Sequence, residues 1–171
     1  MADPDATFLP FEPSMADELV KMWRASFNRA LAPYRNSHSI EEQTRFLLET
    51  QSQRAVVTVA LNDDRTIMGF MAQASQSIEQ LYLHVDHQGQ GLGAAFLQRA
   101  KAVSPMHLHL YTFQRNLKAR RFYQRHGFRE IGYGHENMEG LADVELEWKV
   151  TERIAAQAAP TFLAKKSPAR R

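Results

Sequence analysis

Gln88-Gly89-Gln90-Gly91-Leu92-Gly93 runs directly into Ala94-Ala95-Phe96-Leu97 and follows the apolar run Leu81-Tyr82-Leu83-His84-Val85. The run before it has the length and β-rich composition of a strand. After it, Leu92, Ala95, Phe96 and Arg99 recur at i, i+3, i+4 and i+7, a helical pattern. The stretch therefore reads as strand, tight glycine turn and helix N-terminus. Three glycines let the backbone bend and come close to a ligand, because no Cβ stands in the way. The first helical turn leaves N–H groups unpaired and carries the positive end of the helix dipole. Together they make an anion site, most often one for phosphate.

The flanks narrow the choice of phosphate ligand. A P-loop closes with Gly-Lys-Ser/Thr, whereas this turn closes with Gly93-Ala94-Ala95, which excludes nucleoside-triphosphate hydrolysis. A dinucleotide fold is harder to set aside, since Gly89 to Ala94 satisfies G-x-G-x-x-A. That motif expects an acidic residue about 20 positions later to hold a ribose. Between Asp86 and Glu130 there is no carboxylate at all. The same interval carries Arg99, Lys101, Arg115, Lys118, Arg120, Arg121, Arg125 and Arg129, a surface for a ligand with several phosphates.

Gln88-x-x-Gly91-x-Gly93 resembles the pyrophosphate loop Gln/Arg-x-x-Gly-x-Gly/Ala of the GCN5-related N-acetyltransferases (GNAT). A second signature follows in the right order: Asn116-Leu117-Lys118-Ala119-Arg120-Arg121-Phe122-Tyr123-Gln124-Arg125-His126-Gly127-Phe128 is similar to the family's Asn-opened helix ending in Phe-Tyr-x-x-x-Gly-Phe. The resemblance covers Glu79 to Arg129 well and the first 76 residues in outline.

With 171 residues, 44% of them hydrophobic and 23% charged, the chain has the make-up of one globular domain with a tail. The division expected is 1–150 as the acetyltransferase domain and 151–171 as a weakly ordered extension, Ala-rich and then Lys/Arg/Pro-rich. Without cysteine there is no disulfide framework, no thiolate metal site and no covalent acetyl-cysteine intermediate. No apolar run approaches membrane-spanning length and the start lacks a signal core, which makes the cytoplasm the expected location. The net charge of +2 divides unevenly: residues 151–171 carry +4, leaving −2 for the rest. Basicity in the tail is poor evidence for a nucleic-acid partner, and none is expected.

The remaining pattern gives an α/β fold in a single domain, a mixed central sheet flanked by helices. Thr7–Phe11 reads as an edge strand because of Pro10. Ser14-x-x-Asp17 and Ser39-x-x-Glu42 read as capping boxes opening two helices. The first sets Leu19, Trp23, Ser26, Phe27 and Ala30 on one face, and the second sets Phe46, Leu47 and Leu48. Residues 55–61, 66–72 and 78–85 form an antiparallel meander, and 106–113, reached through the 92–102 helix, lies parallel to 78–85. A helix capped by Asn116 and ended by Gly127 precedes strands 128–133 and 144–150.

Resemblance to the family implies the site. The co-substrate is acetyl-CoA, its pyrophosphate on the amides of Gln88, Gly89, Gln90, Gly91, Leu92, Gly93 and Ala94. Its pantetheine arm pairs with the main chain of Leu83 and Val85 and touches Asn116. Tyr123 is the implied acid and a cofactor contact, against the plainer reading of a ring packed on the inner helix face: an ordinary phenol stays protonated at pH 7 and can donate to a departing thiolate. Glu79, near the start of the strand before the loop, is the candidate base, directly or through water, against the plainer reading of a solvated strand-end carboxylate. Another position used for the base in the family holds Tyr111 here, unsuited to the task at neutral pH. His84, His107 and His109 could hold a metal, but strand polarity explains them better and no metal is expected. For the acceptor pocket, Trp23 and Phe27 read mainly as core and Tyr34 as lining, while Glu136 and Glu139 could attract a cationic amine. The reaction expected is direct acetyl transfer to a primary amine, on a small molecule or a peptide; the pattern leaves room for a homodimer. The alternative is a non-catalytic CoA-binding sensor or assembly domain.

Overall fold

The computed structural model describes residues 5–135 and 137–150. Among them seven strands form one mixed sheet in the order β1-β2-β3-β4-β5-β7-β6. The edge strand β1 (Thr7–Pro10) pairs antiparallel with β2 (Val56–Leu61), so Pro10 costs no interior ladder bond. β2, β3 (Ile67–Ala74) and β4 (Ser77–Leu83) make the antiparallel meander that the short turns require. Helix α4 (Leu92–Val103) then crosses over to β5 (His107–Phe113), which is parallel to β4. Helix α5 (Leu117–Arg125) leads to the hairpin of β6 (Arg129–Tyr133) and β7 (Asp143–Lys149).

The two N-terminal helices start differently from each other. Ser39 and Glu42 form the expected capping box: Ser39 Oγ accepts from the Glu42 amide at 3.1 Å, and Glu42 Oε2 accepts from the Ser39 amide at 2.7 Å. Ser14 and Asp17 do not. Pro13 begins a 3-10 turn, Pro13–Met15, that runs straight into α1 (Ala16–Ala30), and neither start has a side-chain cap. Leu19, Trp23, Ser26 and Phe27 of α1 are buried as expected, whereas Ala30 is exposed where the helix leaves the sheet. After α2 (Ile40–Arg45) the chain winds as a π-helix, Phe46–Gln51, before the single turn α3 (Ser52–Arg54). The wider winding buries Leu47 and the polar Gln51 together, and such insertions often serve a site.

Hydrophobic packing lies on both faces of the sheet. On one, Leu19, Val20, Trp23 and Phe27 of α1 meet Val57, Val59, Phe70 and Ala72. On the other, Leu92, Phe96 and Leu97 of α4 and Tyr123 of α5 meet Met71, Ile78, Leu108, Leu110 and Val144. Between them the sheet opens. β4 and β5 are in register only at Ser77–His109 and Ile78–Leu110, and the β3–β4 register shifts between Ala72 and Gln73, leaving Glu79 as the extra residue of β4. From Glu79 onward the β5-facing edge of β4 has no strand beside it.

Candidate active site

The opening between β4 and β5 is lined by Glu79, Gln80, Leu81 and Tyr82 on one side, and by Leu110 to Phe113 on the other. Asn116, Ala119 and Tyr123 of α5 close one end. Asn116 Oδ1 caps α5 by accepting from the Ala119 amide at 3.2 Å, while its Nδ2 makes no hydrogen bond among the described residues. Tyr123 is buried, and its hydroxyl makes no hydrogen bond among the described residues. Burial, and after it the neighbouring Tyr82, push its ionisation upward, so the phenol is protonated across the physiological range. Tyr82 is likewise pushed up to about 12 by burial, opposed by the Trp23 indole and reinforced by Glu139.

At the far end of β4 the glycine turn leads into α4. Gly89 and Gly91 have φ of 79° and 89°, in the left-handed region that glycine tolerates, and a Cβ on either would meet nothing within 4 Å. The space above these two glycines is open. Gly91 is the N-cap of α4 and no side chain caps that end, so its first amides have no hydrogen-bond partner among the described residues. Gly93 serves another purpose: a Cβ there would lie 2.9 Å from Phe122 Cζ, so this glycine lets α4 and α5 pack. Of the three glycines read as freeing the backbone, two do so and the third makes room for a ring.

Leu83 ends β4, and Val85 lies beyond it in a 3-10 turn, Val85–His87, rather than in the strand. Gln88 bridges the opening: its Nε2 donates to the Leu83 carbonyl at 3.3 Å, and its Oε1 accepts from Lys118 Nζ at 2.8 Å. Several of the eight basic residues have structural partners. Arg120 is bidentate on Glu130 at 2.7 and 3.0 Å, Arg99 stacks on Phe8 at 3.8 Å, and Lys101 donates to the His126 carbonyl at 2.7 Å. Among the described residues Lys118 hydrogen-bonds to the glycine turn, through Gln88.

On the α1 side, a wider cleft with a volume of about 800 Å³ adjoins the opening and shares Glu79, Gln80, Tyr82 and Tyr111 with it. Glu79 Oε2 accepts from Gln51 Nε2 at 2.7 Å and from Arg54 Nε at 3.0 Å, so the π-helix and α3 fix this carboxylate. Trp23 and Phe27, read mainly as core, also line the cleft, whereas Tyr34 is not part of its wall. The Tyr34 hydroxyl donates to the Glu139 carbonyl at 3.0 Å and ties the β6–β7 loop to the end of α1. Glu139 lies on the cleft wall; Glu136 lies outside the described residues.

The far wall holds a pair that sequence reasoning passed over. His135 Nδ1 is 2.9 Å from Asp143 Oδ1, which also accepts the His135 amide at 2.8 Å. His135 stood in a loop and Asp143 one residue before an alternating strand, and nothing in their spacing signalled a partnership. Gln51, Arg54 and Lys118 were equally silent. The three histidines weighed as a metal site do not meet: His107 sits 2.9 Å from Glu147 Oε1, beside His109, while His84 lies past the other end of β4 and accepts from the Asp86 amide.

A family model described as "Acetyltransferase (GNAT) domain" matches residues 53–130, which hold β2 to β5, the glycine turn and α5. A curated relative, the peptidyl-lysine N-acetyltransferase YjaB of Salmonella typhimurium, is 26% identical over 116 residues, covering 68% of this chain and 78% of its own. The solution structure of apo-form YjaB from Escherichia coli superposes with a TM-score of 0.65 at 22% identity, over 84% of this chain and 97% of that one. A crystal structure of an acetyltransferase from Thermus thermophilus gives a TM-score of 0.69 at 21% identity, over 88% and 100%. Both motifs lie inside the matched segment, with the split sheet around them, so residues 53–130 match the GNAT acetyltransferase domain in sequence and the chain shares the fold of these acetyltransferases.

Proposed function

We propose that the chain is an acetyl-CoA-dependent N-acetyltransferase that passes the acetyl group directly to a primary amine. The observation that carries this reading is the split of β4 from β5, with a protonated Tyr123 hydroxyl that makes no hydrogen bond among the described residues at one end and a helix N-terminus without a side-chain cap at the other. These residues fit the co-substrate. The open space over Gly89 and Gly91 admits a pyrophosphate against the amides of Gln88 to Ala94. Lys118 stands beside that space, and the free edge of β4 up to Leu83 can take the pantetheine arm as an added strand. Val85, in its 3-10 turn, is better placed to hold the turn than to pair with that arm. Asn116, whose Nδ2 makes no hydrogen bond among the described residues, offers it to the same arm.

Acetyl-CoA supplies an activated thioester. The protein must present the amine, polarise the carbonyl and return a proton to the thiolate. A main-chain N–H of β4 near Leu83 would act on the carbonyl oxygen. Tyr123 would give its proton to the departing sulfur, since a phenol kept neutral by burial remains a donor. Glu79, fixed by Gln51 and Arg54, puts a carboxylate where the acceptor enters and would draw in a cationic amine. A lysine side chain, the kind of acceptor for which the Salmonella relative is named, is one amine that the cleft would admit. We take residues 1–150 as the catalytic domain and the cytoplasm as the place of work. Among the described residues no helix is long and apolar enough to cross a membrane.

The test is release of free CoA from acetyl-CoA with an Nα-blocked lysine amide and 1,4-diaminobutane as acceptors. Turnover with either one, and its loss in Tyr123→Phe while acetyl-CoA still raises the melting temperature, is the expected result. Tight CoA binding without turnover of any amine would favour a sensor or assembly domain instead.

A further inference from the structure

We propose that His135, held by Asp143, is the base that removes the proton from the acceptor amine. This rests on the acetyl-transfer reading and concerns its proton. Both residues line the acceptor cleft together with Tyr111.

The geometry fixes the tautomer. The Asp143 side chain is 6% exposed, and an ionised carboxylate only accepts, so the short Nδ1 contact puts the imidazole hydrogen on Nδ1. Nε2 keeps its lone pair and makes no hydrogen bond among the described residues. Its nearest acidic neighbour, Glu145 Oε2, is 3.7 Å away. That is too far for a hydrogen bond and near enough to stabilise an imidazolium once the proton arrives.

The ring also has a built seat. A Cβ at Gly132 would lie 3.1 Å from His135 Cε1 and 3.3 Å from Nε2, so a side chain there would crowd the ring. The Tyr111 ring stands edge-on to the imidazole, with centroids 5.0 Å apart. The charged and titratable groups around it are Asp143 and Glu145 of β7, Tyr111 of β5, and Glu139 of the loop on the same cleft wall. Burial, and then Glu145, push the Tyr111 phenol up, so it stays neutral beside the imidazole. On the opposite wall Oε2 of Glu79 is already engaged by two donors. Carboxylates in water titrate near 4 and imidazole near 6.5, and a base works best with a pKa close to the working pH.

The step balances without another reactant. R–NH3⁺ loses one proton to Nε2, and the freed amine attacks the thioester carbonyl carbon. The C–S bond breaks, and the thiolate takes the Tyr123 proton. Tyr123 recovers a proton from the nascent amide nitrogen, and the imidazolium releases its own to solvent. Asp143 acts as a positioning residue.

The experiment measures kcat/KM against pH for the wild type, His135→Gln, His135→Ala with and without added imidazole, Asp143→Asn and Glu79→Gln, using the lysine amide and the diamine. Acetyl-CoA binding is followed by thermal shift. In the wild type kcat/KM falls on the acid side with unit slope. His135→Gln binds acetyl-CoA normally, loses about 10²–10⁴-fold and no longer shows that limb. Imidazole restores part of the rate to His135→Ala, which a merely structural histidine would not allow. Asp143→Asn moves the limb, and Glu79→Gln keeps it. A His135→Gln rate within about threefold of wild type at every pH, or a limb that disappears in Glu79→Gln instead, overturns the assignment. A wild type that turns over neither amine overturns it together with the proposed function, so the two failures are distinct.

Discussion

The two sides of β4 are built by opposite means. Toward β5, the opening is made mostly of backbone: a strand edge left unpaired after Ile78, two glycines with positive φ, and the bare N-terminus of α4. Toward α1, the cleft is made of side chains from distant segments: Trp23 and Phe27 of α1, Arg54 of α3, Tyr111 of β5, and His135, Glu139 and Asp143 around the β6–β7 loop. A surface made of backbone constrains the local sequence strongly, because few residues tolerate the required conformations. A surface made of side chains can be assembled from anywhere in the chain. The first side is suited to a ligand common to a whole family, the second to one that changes from member to member.

The largest expected effect breaks the comparison at the point where the sides meet. Tyr123→Phe should lower kcat by about 10²–10⁴-fold and leave the acetyl-CoA-induced rise in melting temperature intact. An unchanged kcat would remove Tyr123 from the chemistry and leave it as core. Next, Gly91→Val forces a β-branched residue into the left-handed region at the α4 N-cap, costing about 1–2 kcal/mol of stability, and sets a side chain where phosphate would approach. Acetyl-CoA affinity should fall about tenfold or more by calorimetry. Gly93→Ala sharpens the distinction between the glycines. It should cost about 1–3 kcal/mol through the clash with Phe122, measured by urea unfolding, and adding Phe122→Leu should recover part of it. Gly89→Ala gives a control without a steric neighbour, strained only by its φ.

Alkaline pH reports on the shared strand. The Tyr82 phenol is pushed up to about 12 and that of Tyr123 is also raised. The folded state therefore keeps these protons when the unfolded chain, ordinary near 10, has lost them. Stability should be level up to about pH 10 and fall as pH rises toward 12, with Tyr82→Phe flattening the decline. A decline that is the same in the variant would place its origin elsewhere. The smallest effect should come from Lys118→Met, a loss of acetyl-CoA affinity of about two- to fivefold that fades at high salt.

What could be read from the sequence follows the same division. The turn at Gln88–Gly93, the Asn116 cap, the Gly127 stop and the parallel β4–β5 pair each leave a local or periodic mark, and the structure contains all four. Tertiary geometry supplied what had no such mark. The π-helix after Phe46 carries no sequence signal, yet it brings Gln51 to Glu79, 28 residues away. His135 meets Asp143 only through the bend of a hairpin loop, and Tyr34, off the α1 stripe, turned out to anchor that loop rather than line the cleft. Gly93 looked like part of a ligand turn because spacing records where a glycine is and not what its missing Cβ would strike.

The most direct test of the account is amide hydrogen exchange across the protein with saturating acetyl-CoA. If the split sheet is the co-substrate site, protection should rise in Gln88–Ala94 and along Glu79–Leu83, and remain unchanged at the β1 edge. Protection absent from both segments, or appearing in them with NADPH and not with acetyl-CoA, would contradict it.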